Sequence, residues 1–172
     1  RMALVVGTTA GNDIAVGESK IRGYRNFANK IWNIARFVLM CLEQFDQQNA
    51  TKQQIAEAKY SPQDKKDFER LDEIVKKTTK YLENFHFSHA GELLYDYTWH
   101  EFADKIIEEA KTRIQGDNKE DRKAALFKLL VILQSILKLL HPFVPFVTET
   151  IWQKLPSELK DSDLLITAEW PK

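Results

Sequence analysis

Between Asn12 and Leu42, five basic side chains, Lys20, Arg22, Arg25, Lys30 and Arg36, stand against two acidic ones, Asp13 and Glu18. Apolar residues of the same stretch, Ile21, Tyr24, Ala28, Ile31, Ala35, Val38, Leu42 and Phe45, recur at spacings of three and four, the period of one buried helix face. On a wheel of about 3.6 residues per turn, the opposite face carries Arg22, Asn26, Asn29, Lys30, Asn33, Arg36 and Phe37, with Arg25 at its edge. Amides and guanidinium groups hydrogen-bond exposed base edges, cations meet phosphates, and Phe37 offers a ring on which an unstacked base can lie. Two other readings use the same residues. The cations form an ordinary solvated face while Phe37 packs on a neighbouring helix, or Phe37 and Met40 make an apolar docking spot for a protein. Salt dependence separates the nucleic-acid contact from the apolar dock, because phosphate contacts release counterions. Glu92 to Asp121 holds nine acidic against four basic residues, so a polarised surface is expected, with that region turned away from any phosphate backbone.

Other chemistry-bearing residues make weaker patterns. His86 and His89 at spacing three, with His100 and Glu101 following, are the material of a metal-dependent helical enzyme, yet His100-Glu-Phe-Ala-Asp104 lacks the second histidine of a zinc-protease motif. His141 beside Pro142 reads as a helix cap or packed polar group. Gly7 and Gly11 lead into no Gly-Lys-Ser/Thr and no dinucleotide fingerprint, so no ATP site is expected in this chain. Cys41, the only cysteine, excludes an internal disulfide and suits a small packed side chain. Neither cofactor nor metal is expected here.

The elements that must position these groups are helices. The 172 residues, 44% hydrophobic and 29% charged, suit one globular domain, and 25 basic residues balance 25 acidic ones. The strongest apolar run, Leu126 to Leu140, is interrupted by Lys128, Gln134, Ser135 and Lys138 and is too short to span a bilayer. A cytosolic protein with no membrane partner is expected. After the first long helix, residues 47–60 read mostly as connection. Ser61-Pro62-Gln63-Asp64 supplies a hydroxyl cap, a proline at the first helical position and an early acid, starting a helix buried through Phe68, Leu71, Val75, Thr78, Leu82 and Phe85. Ser88 caps a third helix through Leu94, Thr98, Phe102, Ile106 and Ala110, with Gly116 and Asp117 at its exit. A fourth begins near Asp121 and runs through Leu126, Leu130, Leu133, Leu137 and Leu140; its wide apolar arc makes it the central helix, and Pro142 ends it. Pro145 restarts a shorter helix through Thr148, Ile151, Trp152 and Leu155. The fold class is all-α, a bundle of four long helices plus a shorter C-terminal one. Residues 163–170 have strand-like apolar character with no partner strand, and both ends read as cuts in a longer polypeptide.

Within this pattern, Gly23-Tyr-Arg-Asn-Phe-Ala-Asn-Lys-Ile-Trp-Asn-Ile-Ala-Arg-Phe37 resembles the first anticodon-domain helix of the valyl-tRNA synthetases, a class I aminoacyl-tRNA synthetase family. Arg1 to Gly7 and Gly11-Asn-Asp-Ile14 resemble the end of that family's connecting fold and the passage out of it. Trp99-His-Glu-Phe-Ala-Asp104 resembles its Trp-Asn-Glu-Phe-type segment, and His141-Pro-Phe-Val-Pro-Phe-Val-Thr-Glu-Thr-Ile-Trp152 its His-Pro-Phe segment. The last two motifs are shared with isoleucyl and, more loosely, leucyl enzymes. The valine assignment therefore rests on Asn-Phe-Ala-Asn-Lys-Ile-Trp-Asn, and the isoleucyl family is the alternative. His100 stands where asparagine is common, and Ala10 to Asn12 departs from the more usual proline or glutamine wording of that loop. The resemblance implies a domain over residues 18–160 that reads the anticodon of valine tRNA, with 1–17 ending the connecting fold and 161–172 starting a following segment. Lys30, Arg36 and Phe37 are the anticodon contacts it implies, with Asn33 and Arg22 beside them. It also implies that valine activation with ATP and magnesium belongs to a catalytic domain of the same polypeptide, because the family's two nucleotide motifs are missing here.

Overall fold

The computed structural model describes residues 1–7, 16–45 and 51–171. A short helix α1 (Met2–Val5) precedes the long α2 (Glu18–Gln44), and a single turn α3 (Lys52–Ala56) leads into α4 (Pro62–Glu83). One continuous helical rod follows, α-helical in α5 (Phe87–Asp96), π-helical in π1 (Tyr97–Ile106) and α-helical again in α6 (Ile107–Gln115). Next come α7 (Lys119–Leu140), α8 (Pro145–Trp152) and two single 3-10 turns, Ser157–Leu159 and Leu165–Thr167. The described residues hold no strand. Four long rods and a shorter C-terminal helix make the all-α bundle that the apolar periods predict. Most of the linker expected within residues 1–17 lies outside the described residues, whereas within 47–60, read mostly as connection, α3 forms on a capping box of Thr51 and Gln54.

Local chemistry accounts for the helix starts. Ser61 Oγ accepts from the Asp64 backbone N–H at 3.1 Å while the Asp64 carboxylate accepts from Ser61 N–H at 2.9 Å, and Pro62 occupies the first turn, where its missing donor costs nothing. Asn118 Oδ1 accepts from the N–H groups of Glu120 and Asp121, so α7 starts two residues before Asp121. Its predecessor is closed by Arg122, whose guanidinium donates to the Ile114 and Gly116 carbonyls left open at the end of α6. Ser88 does not cap α5. His86 holds the cap position, and Ser88 Oγ instead accepts from Gly7 N–H at 2.8 Å, fastening the end of α1 to α5.

α7 is the axis of the bundle, with 13 of its 22 residues buried around the whole circumference, as a helix apolar on a wide arc must be. α2, α4, α5, α6 and α8 pack around it. On α2 the buried stripe is displaced from the sequence reading: Phe27 and Ile34 join Ile31, Ala35, Val38 and Leu42 in the core, whereas Ile21 is 53% exposed. In the first turns of α2 a Cβ placed on Gly23 would meet nothing within 4 Å. The rod α5–π1–α6 buries Leu94, Thr98, Phe102, Ile106 and Ala110, spaced four apart throughout. In a pure α-helix each step of four rotates the side chain about 40° further round, so four such steps could not keep one face. The wider π turn absorbs that drift.

Phe85, expected on the buried face of α4, is 78% exposed. α4 stops at Glu83 and Phe85 takes φ 60°, the left-handed geometry that glycine normally supplies. Its N–H donates to the Leu82 carbonyl and that of His86 to the Tyr81 carbonyl, which is the Schellman closure of a helix end. Phe85→Gly should therefore raise stability by up to about 1 kcal/mol, the left-handed cost being partly offset by glycine's greater unfolded freedom. Urea denaturation of the variant checks this, and a lower midpoint would show that the Phe85 ring on Phe87, 6.0 Å between centroids, outweighs the backbone strain.

At the C-terminal end, residues 163–170 form no strand. Leu165 is buried, and Trp170 Nε1 donates to Thr79 Oγ1 at 2.8 Å, folding this segment back onto α4.

Sequence reading missed the polar centre of the core. Lys128 in α7 is fully buried, its ammonium 2.8 Å from Asp64, 2.8 Å from Asp67 and 2.9 Å from Glu109. Arg113 closes the other side of Asp64 with two hydrogen bonds of 2.6 and 3.0 Å and reaches Asp121 at 2.7 Å. Burial alone would raise the Asp64 carboxyl, but the hydrogen bonds from Arg113, Lys128 and Ser61 N–H prevail and hold it well below the usual carboxylate range.

Candidate nucleic-acid interface

α2 is 27 residues, about 40 Å, long and turns one side to solvent for most of that length. Arg22, Arg25, Asn26, Asn29, Asn33 and Arg36 are exposed along it, followed by Met40 at 59%. Arg22 is paired with Glu18 at 2.9 Å on the surface, a contact worth little in water. Neither Arg25 nor Arg36 has an acidic partner among the described residues, and the three asparagines leave amide donors and acceptors facing water. This row is the one the helical wheel predicts.

Lys30 and Phe37 sit differently. Both are half-buried, on the flank of α2 that faces π1 and α6. The Lys30 ammonium lies 3.0 Å from Asp104 Oδ1 and 5.3 Å from the centre of the Trp99 ring. Phe37 packs its inner edge on the core, with Lys111 Nζ 5.6 Å from its ring centre. They are the shoulder of the exposed row rather than its crest, because both lie at the border of the arc where the neighbouring rod begins. Lys30 remains a cation beside a half-exposed indole, and Phe37 an aromatic face beside a lysine that is itself tethered to Glu108 at 2.6 Å.

The π segment brings a second set of groups to that shoulder, which sequence reading did not assign. Trp99 stacks on Tyr95 with 5.6 Å between centroids, and both rings lie against Phe27 of α2. His100 lies beside Tyr95 and 3.7 Å from Asp104 Oδ2. The aromatic density of Tyr95-Asp96-Tyr97-Thr98-Trp99 was the available signal. On the opposite flank of α2, Trp32 is 36% exposed beside Lys154 of the segment after α8. Arg25, Arg36, Asn33 and their neighbours are thus bordered by an indole on either side.

The acidic stretch 92–121 is neutralised in part by neighbouring cations. Glu101 is held by Arg70 at 2.7 Å, Glu109 by Lys128, Asp121 by Arg113 and Asp104 by Lys30. The Arg70 hydrogen bonds outweigh burial and keep the Glu101 carboxyl below its ordinary value. Charge is matched at these positions, whereas Glu92, Asp96, Asp117 and Glu120 have no salt bridge among the described residues, and Asp104 stands directly beside the α2 row instead of facing away from it.

The three histidines do not converge. His86 and His89 pack on Tyr81 at the start of α5, whereas His100 is on π1. Among the described residues three metal-capable groups meet only at Asp64, Asp67 and Glu109, where Lys128 already supplies the positive charge. His141 Nδ1 lies 2.9 Å from Thr148 Oγ1, and burial pushes its imidazole below its ordinary value, as befits a packed polar group between α7 and α8. No helix among the described residues is long and apolar enough to cross a membrane.

Comparison with known proteins bears on what this surface meets. The family described as anticodon-binding domain of tRNA ligase matches residues 64–172. The chain is 39% identical over its whole length to the valine–tRNA ligase of Carboxydothermus hydrogenoformans and 39% to that of Petrotoga mobilis, covering 19% of each. It is 36% identical to the valine–tRNA ligase of Aquifex aeolicus, again over the whole chain and 15% of the relative. The chain thus spans about a fifth or less of the length of the curated relatives it matches.

Proposed function

Because the chain belongs to the anticodon-binding domain family of tRNA ligases, we propose that it reads the anticodon loop of a valine-accepting tRNA as one domain of a valine–tRNA ligase. The observation that carries this is the exposed row Arg22, Arg25, Asn26, Asn29, Asn33 and Arg36 on α2, shouldered by Lys30 and Phe37. The family match begins at Asp64, so assigning α2 to the interface draws on the full-length identities and on this geometry. The asparagine amides bond exposed base edges, Arg22, Arg25 and Arg36 meet phosphates, and a splayed base lies on the outer part of Phe37. Lys30 joins them once its ammonium turns from Asp104 toward RNA. Catalysis, with ATP and magnesium, falls to the remaining length that the relatives have, in a cytoplasmic enzyme.

Binding of the chain to a valine anticodon stem-loop across a salt series tests the contact. Three phosphate contacts to a single-stranded loop give a slope of log affinity against log salt near −2, from about 0.7 per contact. Binding with a slope near zero would remove the phosphate contacts from the reading, and no binding even at low salt would favour an apolar protein dock through Met40 and Phe37.

A further inference from the structure

On the flank of α2 away from Phe37, a groove of about 260 Å³ runs between α2 and the end of α8. Trp32, Leu39, Met40 and Ile151 supply its apolar lining, and Arg36 and Lys154 its cations. Glu43 is the acidic side chain of the lining, so the two cations exceed it by one. Neither Arg36 nor Lys154 has a carboxylate partner among the described residues. Lys154 Nζ is 6.0 Å from the Trp32 ring centre, at the outer limit of a cation–π contact, so the indole face is only loosely covered and is easily given up. Arg36 belongs both to this groove and to the amide row on the crest of α2, so the two surfaces are continuous.

We propose that this groove is a second nucleotide seat, taking one unpaired nucleotide of the same RNA loop, its base stacked on Trp32 and its phosphate between Arg36 and Lys154. The proposal rests on the anticodon-loop reading above and extends it to a residue that reading does not use. A single-stranded nucleotide suits the groove better than a protein helix does, because its lining sets two cations against one acid and Trp32 offers a planar ring for a base. A strand that leaves a base on Phe37 crosses the asparagine row to reach Trp32, so the two rings hold nucleotides on opposite sides of one helix. Stacking is sequence-tolerant because every base has a π-face, so this seat contributes affinity and loop geometry while the amide row distinguishes bases.

The test compares Trp32→Leu, Trp32→Phe and Lys154→Ala with the unaltered chain and with Phe37→Ala, on valine anticodon stem-loops intact or made abasic at each loop position in turn. Helicity and thermal midpoint confirm that each variant is folded. Trp32→Leu should weaken the intact loop roughly 5- to 150-fold, the range for one lost base stack, with Trp32→Phe restoring most of it. One abasic position should weaken the unaltered chain and have no further effect on Trp32→Leu, and it should differ from the position coupled to Phe37. If Trp32→Leu and Lys154→Ala bind as tightly as the unaltered chain while Phe37→Ala does not, the groove is no nucleotide seat and the anticodon reading stands. If the folded, unaltered chain binds no loop even at low salt, both fall.

Discussion

Lys128→Met should lower stability at neutral pH by about 3–5 kcal/mol, the loss typical of removing one partner from a buried ion network. Methionine fills nearly the same volume, so the loss would come from charge and not from a cavity. Without the ammonium, Asp64 and Asp67 lose their shared cation at 2.8 Å, and only Arg113 still faces Asp64. For a chain of this length the thermal midpoint should fall by on the order of 10 °C. The acid dependence gives the effect a signature. Asp64 is held below the ordinary carboxylate range when folded, so the unfolded chain takes up its proton first, and wild-type stability declines as pH falls below about 4. In Lys128→Met the folded carboxyl is less depressed, so this decline is shallower and the gap between the two proteins narrows in acid. Urea midpoints at pH 7 and below 4 measure both, and a gap that widens in acid would contradict this account of the core.

Lys30→Ala/Arg36→Ala/Phe37→Ala should reduce affinity for the valine anticodon stem-loop by about 100-fold or more, since one lost stack alone is worth about 1–3 kcal/mol. The three are unequal. Arg36 is exposed and unpaired, and its loss should act fully at any salt where phosphate contacts count. Lys30 must leave Asp104 before it can meet RNA, and its removal also bares an acid at the interface. Asp104→Asn should therefore act in the opposite sense, strengthening binding a few-fold at low salt, whereas a purely solvated α2 face predicts no change from either substitution. Phe37 is half-buried on the core, so Phe37→Leu, which keeps the packing and removes the ring, separates stacking from a structural loss.

What could be read from the sequence divides along physical lines. Helix starts depend on groups a few residues apart, and Ser61, Pro62 and Asp64 announced α4 unaided. The exposed row on α2 followed from a period, since Arg22, Asn33 and Arg36 lie opposite the buried stripe wherever its exact centre falls. Lys30 and Phe37 lie at the border of that arc, and whether a border residue is solvated depends on the neighbouring rod, which one helix's period does not contain. Extending a period past its helix placed Phe85 in the core, when only the left-handed turn beyond Glu83 decides where it points. Lys128 read as a polar interruption because its partners Asp64 and Asp67 are more than sixty positions away. The π segment had left a trace, the unbroken spacing of four from Leu94 to Ala110, which an α-helical template treats as an ordinary buried face.

The claim that this domain reads a valine anticodon is met most directly by measuring its dissociation constants for stem-loops that differ only in carrying valine or isoleucine anticodons, at one fixed salt concentration. The account predicts tighter binding of the valine loop and loss of that preference in Lys30→Ala/Arg36→Ala/Phe37→Ala. A preference for the isoleucine loop, or equal affinities that the triple variant leaves unchanged, would contradict it.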